Sequence, residues 1–222
     1  MACDDLLNIC FHGIGTPQRQ LEPGEDAYWV DTDRYLRILD EIATWPSARI
    51  SFDDANASDI QIGLPALVER GLEAQFFLLA GRLGKRGSLA VDDVRELIVR
   101  GMAIGTHGMS HRPWRGMSPA TREAELVEAR KRIEDVTGVA VTDAACPMGR
   151  YDRLVLSDLR RLGYHRVYTS DERAARPDSW LQARFSVRHA DTPESLRAAL
   201  LSRPSLARRA RHNVVGLVKR WR

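Results

Sequence analysis

Two short stretches carry residue types that could do chemistry together. The first is Ser51-Phe52-Asp53-Asp54-Ala55-Asn56, an apolar segment that runs into two adjacent carboxylates. In mid-strand these side chains would point to opposite faces, but where a strand ends and the chain turns, both can reach one rim. The second is Gly105-Thr106-His107-Gly108-Met109-Ser110-His111, with two imidazoles four residues apart. On one side of a helical turn that spacing suits a shared metal ion. Taken singly, each has a plainer reading: a solvated turn for the aspartates, a pair of surface residues for the histidines. Both follow apolar runs, however, and at the C-terminal ends of strands in one parallel sheet they would meet. Asp54, His107 and His111 then form a two-histidine, one-carboxylate set with open coordination positions, suited to zinc hydrolysis or to non-haem iron chemistry.

Such a meeting requires the right elements. The pattern predicts strands at Leu6–Phe11, Arg49–Phe52, Ala74–Leu79, Ala103–Gly105, Val141–Ala145, Arg166–Thr169 and Arg184–Val187. Apolar residues at a period of 3.6 predict helices at Thr32–Ile42, Gly63–Arg70, Val91–Arg100, Thr121–Thr137 and Arg153–Leu162. Thr32 reads as a helix cap, Pro119 falls near a first turn, and Gly71, Gly101, Gly138 and Gly163 follow helices as stops. Alternation of this kind gives a parallel sheet covered by helices. Seven strands suit a closed or nearly closed barrel, and an open doubly wound sheet is the alternative. No linker divides the chain, so one domain is expected over residues 1–204, followed by a basic tail at 205–222.

The 222 residues are enough for one sizeable core, and 44% hydrophobic with 28% charged residues is ordinary for a soluble enzyme. The net charge of +3 is misleading. Seven Lys and Arg and no acidic residue lie from Arg203 onward, which leaves 26 basic against 30 acidic residues elsewhere. A general nucleic-acid-binding surface is therefore not expected. The tail, with Leu206, Val214, Val215, Leu217, Val218 and Trp221, could form a basic helix making weak contact with an anionic membrane, or a solvated terminal helix. Three cysteines give no disulfide framework. Neither a signal peptide nor a membrane span is legible, so the expected location is cytoplasmic, at most peripheral to the inner face of the membrane.

The two motifs together resemble those of the polysaccharide deacetylases of carbohydrate esterase family 4, the NodB-homology domain. Ser51-Phe52-Asp53-Asp54-Ala55 is similar to the family's Thr-Phe-Asp-Asp-Gly, and His107-Gly108-Met109-Ser110-His111 to its His-Thr/Ser-x-x-His. The similarity runs from Phe11-His12-Gly13 to about Leu200. It implies an α/β fold, a distorted (β/α)7 barrel with parallel strands. It also implies one divalent ion on Asp54, His107 and His111, Zn2+ first and Co2+, Ni2+ or Mn2+ as alternatives, with Asp53 as the base. The implied reaction is metal-dependent removal of acetyl groups from N-acetylated sugars of a polysaccharide or its precursor. An amide is a poor electrophile, so a metal must polarise its carbonyl and acidify water while an unligated carboxylate takes the proton.

Departures from the family pattern mark where this chain must differ. The third motif reads Ala145-Cys146-Pro147-Met148-Gly149, with Ala145 where the family has the arginine that orients the base. Pro147, Met148 and Gly149 are the expected oxyanion loop, with the backbone N–H of Met148 as donor. Arg184 is a candidate replacement for the missing arginine, and Trp114 a candidate stacking surface for a sugar ring. Cys146 reads as a small buried thiol. Ala55 replaces a glycine, a mild change if its φ is negative. The late Leu-x-His motif has no clear counterpart, His189 lying only in about the right region, so the general acid is unassigned. His12 could reach the rim, although a structural role fits it better. Hydrolysis of O-acetyl groups or small amides on the same barrel, and a catalytically silent sugar-binding module, are the competing readings.

Overall fold

A computed structural model describes residues 5–201. The basic tail at 205–222 lies outside the described residues. Seven parallel strands close into a barrel in the order β1 (Leu7–Phe11), β4 (Ala48–Asp53), β5 (Ala74–Leu78), β6 (Ala103–Thr106), β7 (Asp143–Ala145), β8 (Arg166–Thr169) and β9 (Leu181–Ser186). Pairing of β9 with β1, through Asn8 opposite Arg184 and Cys10 opposite Ser186, makes the closure. The expected (β/α)7 barrel is the observed fold, and the open sheet is not. Two short strands, β2 (Gly13–Ile14) and β3 (Trp29–Val30), pair beside the barrel and flank a long loop.

Helices cover the outside: α1 (Thr32–Ile42), α2 (Leu64–Glu69), α3 (Val91–Val99), α4 (Pro119–Arg122), α5 (Ala129–Thr137), α6 (Arg153–Arg161) and α7 (Pro193–Leu200). In α1 the apolar residues recur at Tyr35, Ile38, Leu39 and Ile42, one stripe, and all four are buried. They pack on Ile9, Phe11 and Phe52, the outward side chains of β1 and β4. Burying each such side chain is worth about 1.5–3 kcal/mol, which fixes the helices to the sheet. The cap of α1 is Asp31, whose carboxylate accepts from the Arg34 backbone N–H, and not Thr32. Helix α7, capped by Thr192, was not legible as a periodic stripe because only Leu196 in it is buried. Gly71, Gly101, Gly138 and Gly163 all adopt positive φ after their helices, as their positions predict.

Alternation sends the other strand residues into the barrel, and that interior is unusually polar. Asn8 donates to Gln182, Gln75 to Asp143, and Cys10, Ser51 and Arg184 lie above them. Phe77, Ala145 and Tyr168 form a small apolar cluster in the same interior. Gly105 faces it, and a Cβ there would stand 2.4 Å from the Phe77 ring and 3.0 Å from the Asp143 carbonyl. Glycine at this position is required by space. Gly105→Ala is expected to cost about 1–3 kcal/mol through forced displacement of Phe77, read as a lower urea midpoint with an unchanged slope.

Candidate metal centre and active site

Each half of the site begins where a strand ends. Strand β4 runs one residue further than the apolar run predicts, so Asp53 is its last residue and Asp54 the first beyond it. Asp54 then adopts φ 77° and Ala55 φ 57°. This left-handed turn is what brings two neighbouring carboxylates to one side; aspartate tolerates it better than alanine does. Ala55 therefore does not have the negative φ that would make loss of the family glycine mild.

The His107–His111 segment is a loop and not the helical turn that its spacing suggests. Gly108 at φ 86° and His111 at φ 52° bend it, and the two rings still come within 5.5 Å of each other. Glu125 holds this loop from below. It is buried, and its carboxylate accepts from the Met109 backbone N–H (2.8 Å), the Ser110 hydroxyl and the Trp114 indole N–H (3.4 Å). A π-helical turn at Glu123–Glu128 separates α4 from α5 and buries Glu125 and Leu126 together. No sequence signal points to Glu125, which lies in an otherwise amphipathic helical stretch.

Asp54, His107 and His111 offer ligand atoms that all lie within 4.8 Å of one another. Asp54 Oδ1 is 3.3 Å from His111 Nε2 and 3.7 Å from His107 Nε2. Atoms about 2.1 Å from a common centre at tetrahedral angles stand about 3.4 Å apart, so the spacing fits a divalent ion. The orphaned carboxylate agrees: both Asp54 oxygens are buried and have no hydrogen-bond partner. Each histidine commits Nδ1 outward and leaves Nε2 toward Asp54. His107 Nδ1 lies 2.9 Å from the Ala145 carbonyl, and His111 Nδ1 lies 2.6 Å from Glu22 Oε2. Burial pushes the His107 pKa down to about 4 against the pull of Asp53 and Asp54, so the imidazole is neutral near pH 7, the form a metal needs.

Asp53 is tied to Arg184. The guanidinium donates to Oδ1 at 2.7 Å and to Oδ2 at 2.6 Å, and neither side chain is more than 2% exposed. It also donates to the Ser51 hydroxyl and stacks over Phe77 and Tyr168. Arg184 thus supplies to Asp53, from β9, the guanidinium that Ala145 cannot supply from β7; the small Ala145 packs with Phe77 and Tyr168. Burial alone would raise the Asp53 pKa, but the charge of Arg184, aided by His107, holds it well below the usual carboxylate range.

These groups open into a cavity of about 370 Å³ lined by His12, Asp53, Asp54, His111 and Met148, with Tyr28 as its aromatic wall. Pro147 and Gly149 are buried and do not line it. His12 packs against the Tyr28 ring at 5.0 Å, and its Nδ1 is buried without a hydrogen-bond partner. Trp114, expected as a stacking surface, is fully buried among Leu126, Cys146 and Tyr151 and cannot meet a ligand. His189 also lies elsewhere, its Nδ1 on the Trp29 carbonyl at 3.0 Å. Glu22 and Tyr28, both from the loop between β2 and β3, carry no periodicity or motif by which sequence could have found them.

A parallel barrel with its polar cluster at the C-terminal strand ends has the layout of the α/β-barrel enzymes. The polysaccharide deacetylase family model matches residues 43–167, more than half of the chain, and the chain belongs to that family. A curated relative, "Putative polysaccharide deacetylase YxkH" of Bacillus subtilis (strain 168), is 26% identical over 139 residues, 63% of this chain. The chain spans only 50% of that relative's length. Among solved structures, the Streptococcus pyogenes deacetylase PplD in complex with acetate superposes with a TM-score of 0.75 at 18% identity, covering 90% of this chain and 99% of that one. IcaB from Ammonifex degensii gives 0.72 at 18% identity, covering 88% and 97%. No helix among the described residues is long and apolar enough to cross a membrane.

Two predictions come from this geometry. Replacing Arg184 by Met strands a buried carboxylate and is expected to cost about 3–5 kcal/mol in urea unfolding. It also frees the Asp53 pKa to rise, so the acid limb of any rate needing ionised Asp53 moves to higher pH. Conversely, Ala55→Gly relieves a left-handed alanine and is expected to raise stability by up to about 1 kcal/mol, read as a higher melting temperature.

Proposed function

We propose that this chain is a metal-dependent deacetylase that removes acetyl groups from the N-acetylated sugars of a polysaccharide or its precursor. The observation that carries this reading is an ionised Asp53, locked by Arg184, beside the Asp54, His107 and His111 set, with Asp53, Asp54 and His111 lining one cavity. A divalent ion held there, Zn2+ by the donor set, would polarise the acetyl carbonyl and make a water acidic enough to attack it.

The chain's own residues divide the remaining work. Asp53 takes the proton of the attacking water; each of its oxygens keeps a lone pair beyond the one bonded to Arg184. Because Arg184 fixes the carboxylate plane, the base faces the cavity in one orientation only. Met148, at φ 54° on the cavity wall, would donate its backbone N–H to the carbonyl oxygen as that oxygen gains charge. Cleavage of the C–N bond needs a proton on the departing amine nitrogen, and we assign that donor to His12. Its unpartnered ring nitrogen and its place on the cavity wall beside Tyr28 support the assignment over a structural role. Acetate and a free amino sugar leave.

Acetate release from N-acetylglucosamine oligomers, measured with and without chelator, tests the reading. The wild type is expected to lose activity with chelator, and Asp53→Asn and His12→Gln to lose about 10²–10⁴-fold in kcat while keeping their metal. A wild type that holds metal but releases no acetate from any acetylated glycan would sink it.

A further inference from the structure

We infer that Glu22 is a positioning residue for the metal centre: its carboxylate, carried in from the loop between β2 and β3, holds His111 in the tautomer and direction a metal ion needs. The inference rests on Asp54, His107 and His111 being the ligand set, and adds to that set the group on which one ligand depends.

The two histidines are supported very differently. His107 follows directly on a strand, is 1% exposed, and sets its Nδ1 against a main-chain carbonyl that no side-chain substitution removes. His111 sits on a left-handed loop residue, outside any helix or strand, and the group fixing its ring is the Glu22 carboxylate at 2.6 Å. With Nδ1–H donating to the Glu22 carboxylate, the Nε2 lone pair is directed toward Asp54 Oδ1, 3.3 Å away. A carboxylate behind a ligating imidazole fixes the tautomer and raises the basicity of the ligand nitrogen.

Glu22 is itself held from several sides. Its second oxygen pairs with Arg82, which lies beyond the end of β5. Its backbone N–H donates to Glu25 at 2.8 Å, and Glu25 is clasped by Arg19, whose guanidinium also reaches Asn56 just past the Asp53-Asp54 turn. A chain of charge-assisted contacts therefore runs from the Asp-Asp turn through the loop to the second histidine. The loop has little regular structure, a single 3-10 turn at Glu25–Tyr28, so these contacts rather than backbone pairing place the carboxylate.

Zinc affinity of the full chain, measured by competition with a chromogenic chelator, tests this. Glu22→Ala is expected to raise the Zn2+ dissociation constant about 10–100-fold, and Glu22→Gln, which keeps an accepting oxygen, by less. The metal-free melting temperature of both should stay within about 2 °C of wild type, since the Glu22 side chain is 36% exposed and a solvent-reached rim pair contributes little to folding. Zinc affinity within twofold of wild type in Glu22→Ala overturns the inference, as does a large drop in its metal-free melting temperature. A wild type that folds but binds no Zn2+ overturns the ligand set itself, and is seen before any variant is compared.

Discussion

The guanidinium of Arg184 and the carboxylate of Asp53 share the middle of the barrel with essentially no exposure. Charges so far from water are tolerated only when paired and hydrogen-bonded, and the surroundings engage both terminal nitrogens of the guanidinium, leaving Nε alone without a partner. Ser51 accepts from the guanidinium below the carboxylate, and Phe77 and Tyr168 offer ring faces to it. Those rings have room because Ala145 and Gly105, on the adjoining strands, present no bulk. Closure of β9 onto β1 is what delivers the arginine across 131 residues of chain. The barrel's unusually polar interior is thus built around keeping one carboxylate ionised.

Around that pair the backbone is strained in a pattern. Among the described residues, five non-glycines have positive φ: Asp54, Ala55, His111, Met148 and Glu172. All follow strand ends at the C-terminal mouth, and Asp54, His111, Met148 and Glu172 line the cavity. Left-handed non-glycine residues cost free energy and persist where the surroundings over-determine them. Here the strands, the buried Glu125 and the loop bearing Glu22 supply that constraint. The result is a set of side chains turned inward over a narrow mouth, which regular helix or strand geometry would send in different directions.

Division of labour between neighbouring aspartates follows from the same geometry. Asp53, still on the strand, faces the guanidinium; Asp54, one left-handed step later, faces the imidazoles and has no donor of its own. One carboxylate is neutralised by a fixed charge of the protein, and the other is left without a hydrogen-bond partner. Adjacent residues on a plain strand could not be separated in this way, because their side chains would point to opposite faces of the sheet.

Local pattern was enough to read seven strands, five of the helices and the placement of Asp53, Asp54, His107 and His111 at two strand ends, because periodicity and short-range spacing express which faces are buried. Boundaries slipped where a single residue decided the outcome, as at Asp31 capping α1 and Asp53 ending β4. The conformation of the histidine loop was misread, since spacing of four fits a helical turn and the glycine-bent loop equally well. Trp114 could not be placed, because an indole three residues after His111 packs inward or faces solvent according to neighbours remote in sequence. Arg184 was visible as a residue type on a strand, but its partner was set by barrel closure. Glu22 and Glu125 were wholly silent, one in an irregular loop and the other in a helix. Sequence by itself determined the class of fold and the chemical identities at two strand ends, which depend on local burial pattern. Tertiary structure alone decided which distant groups hold those residues in place, because long-range hydrogen bonds leave no periodic trace in the chain.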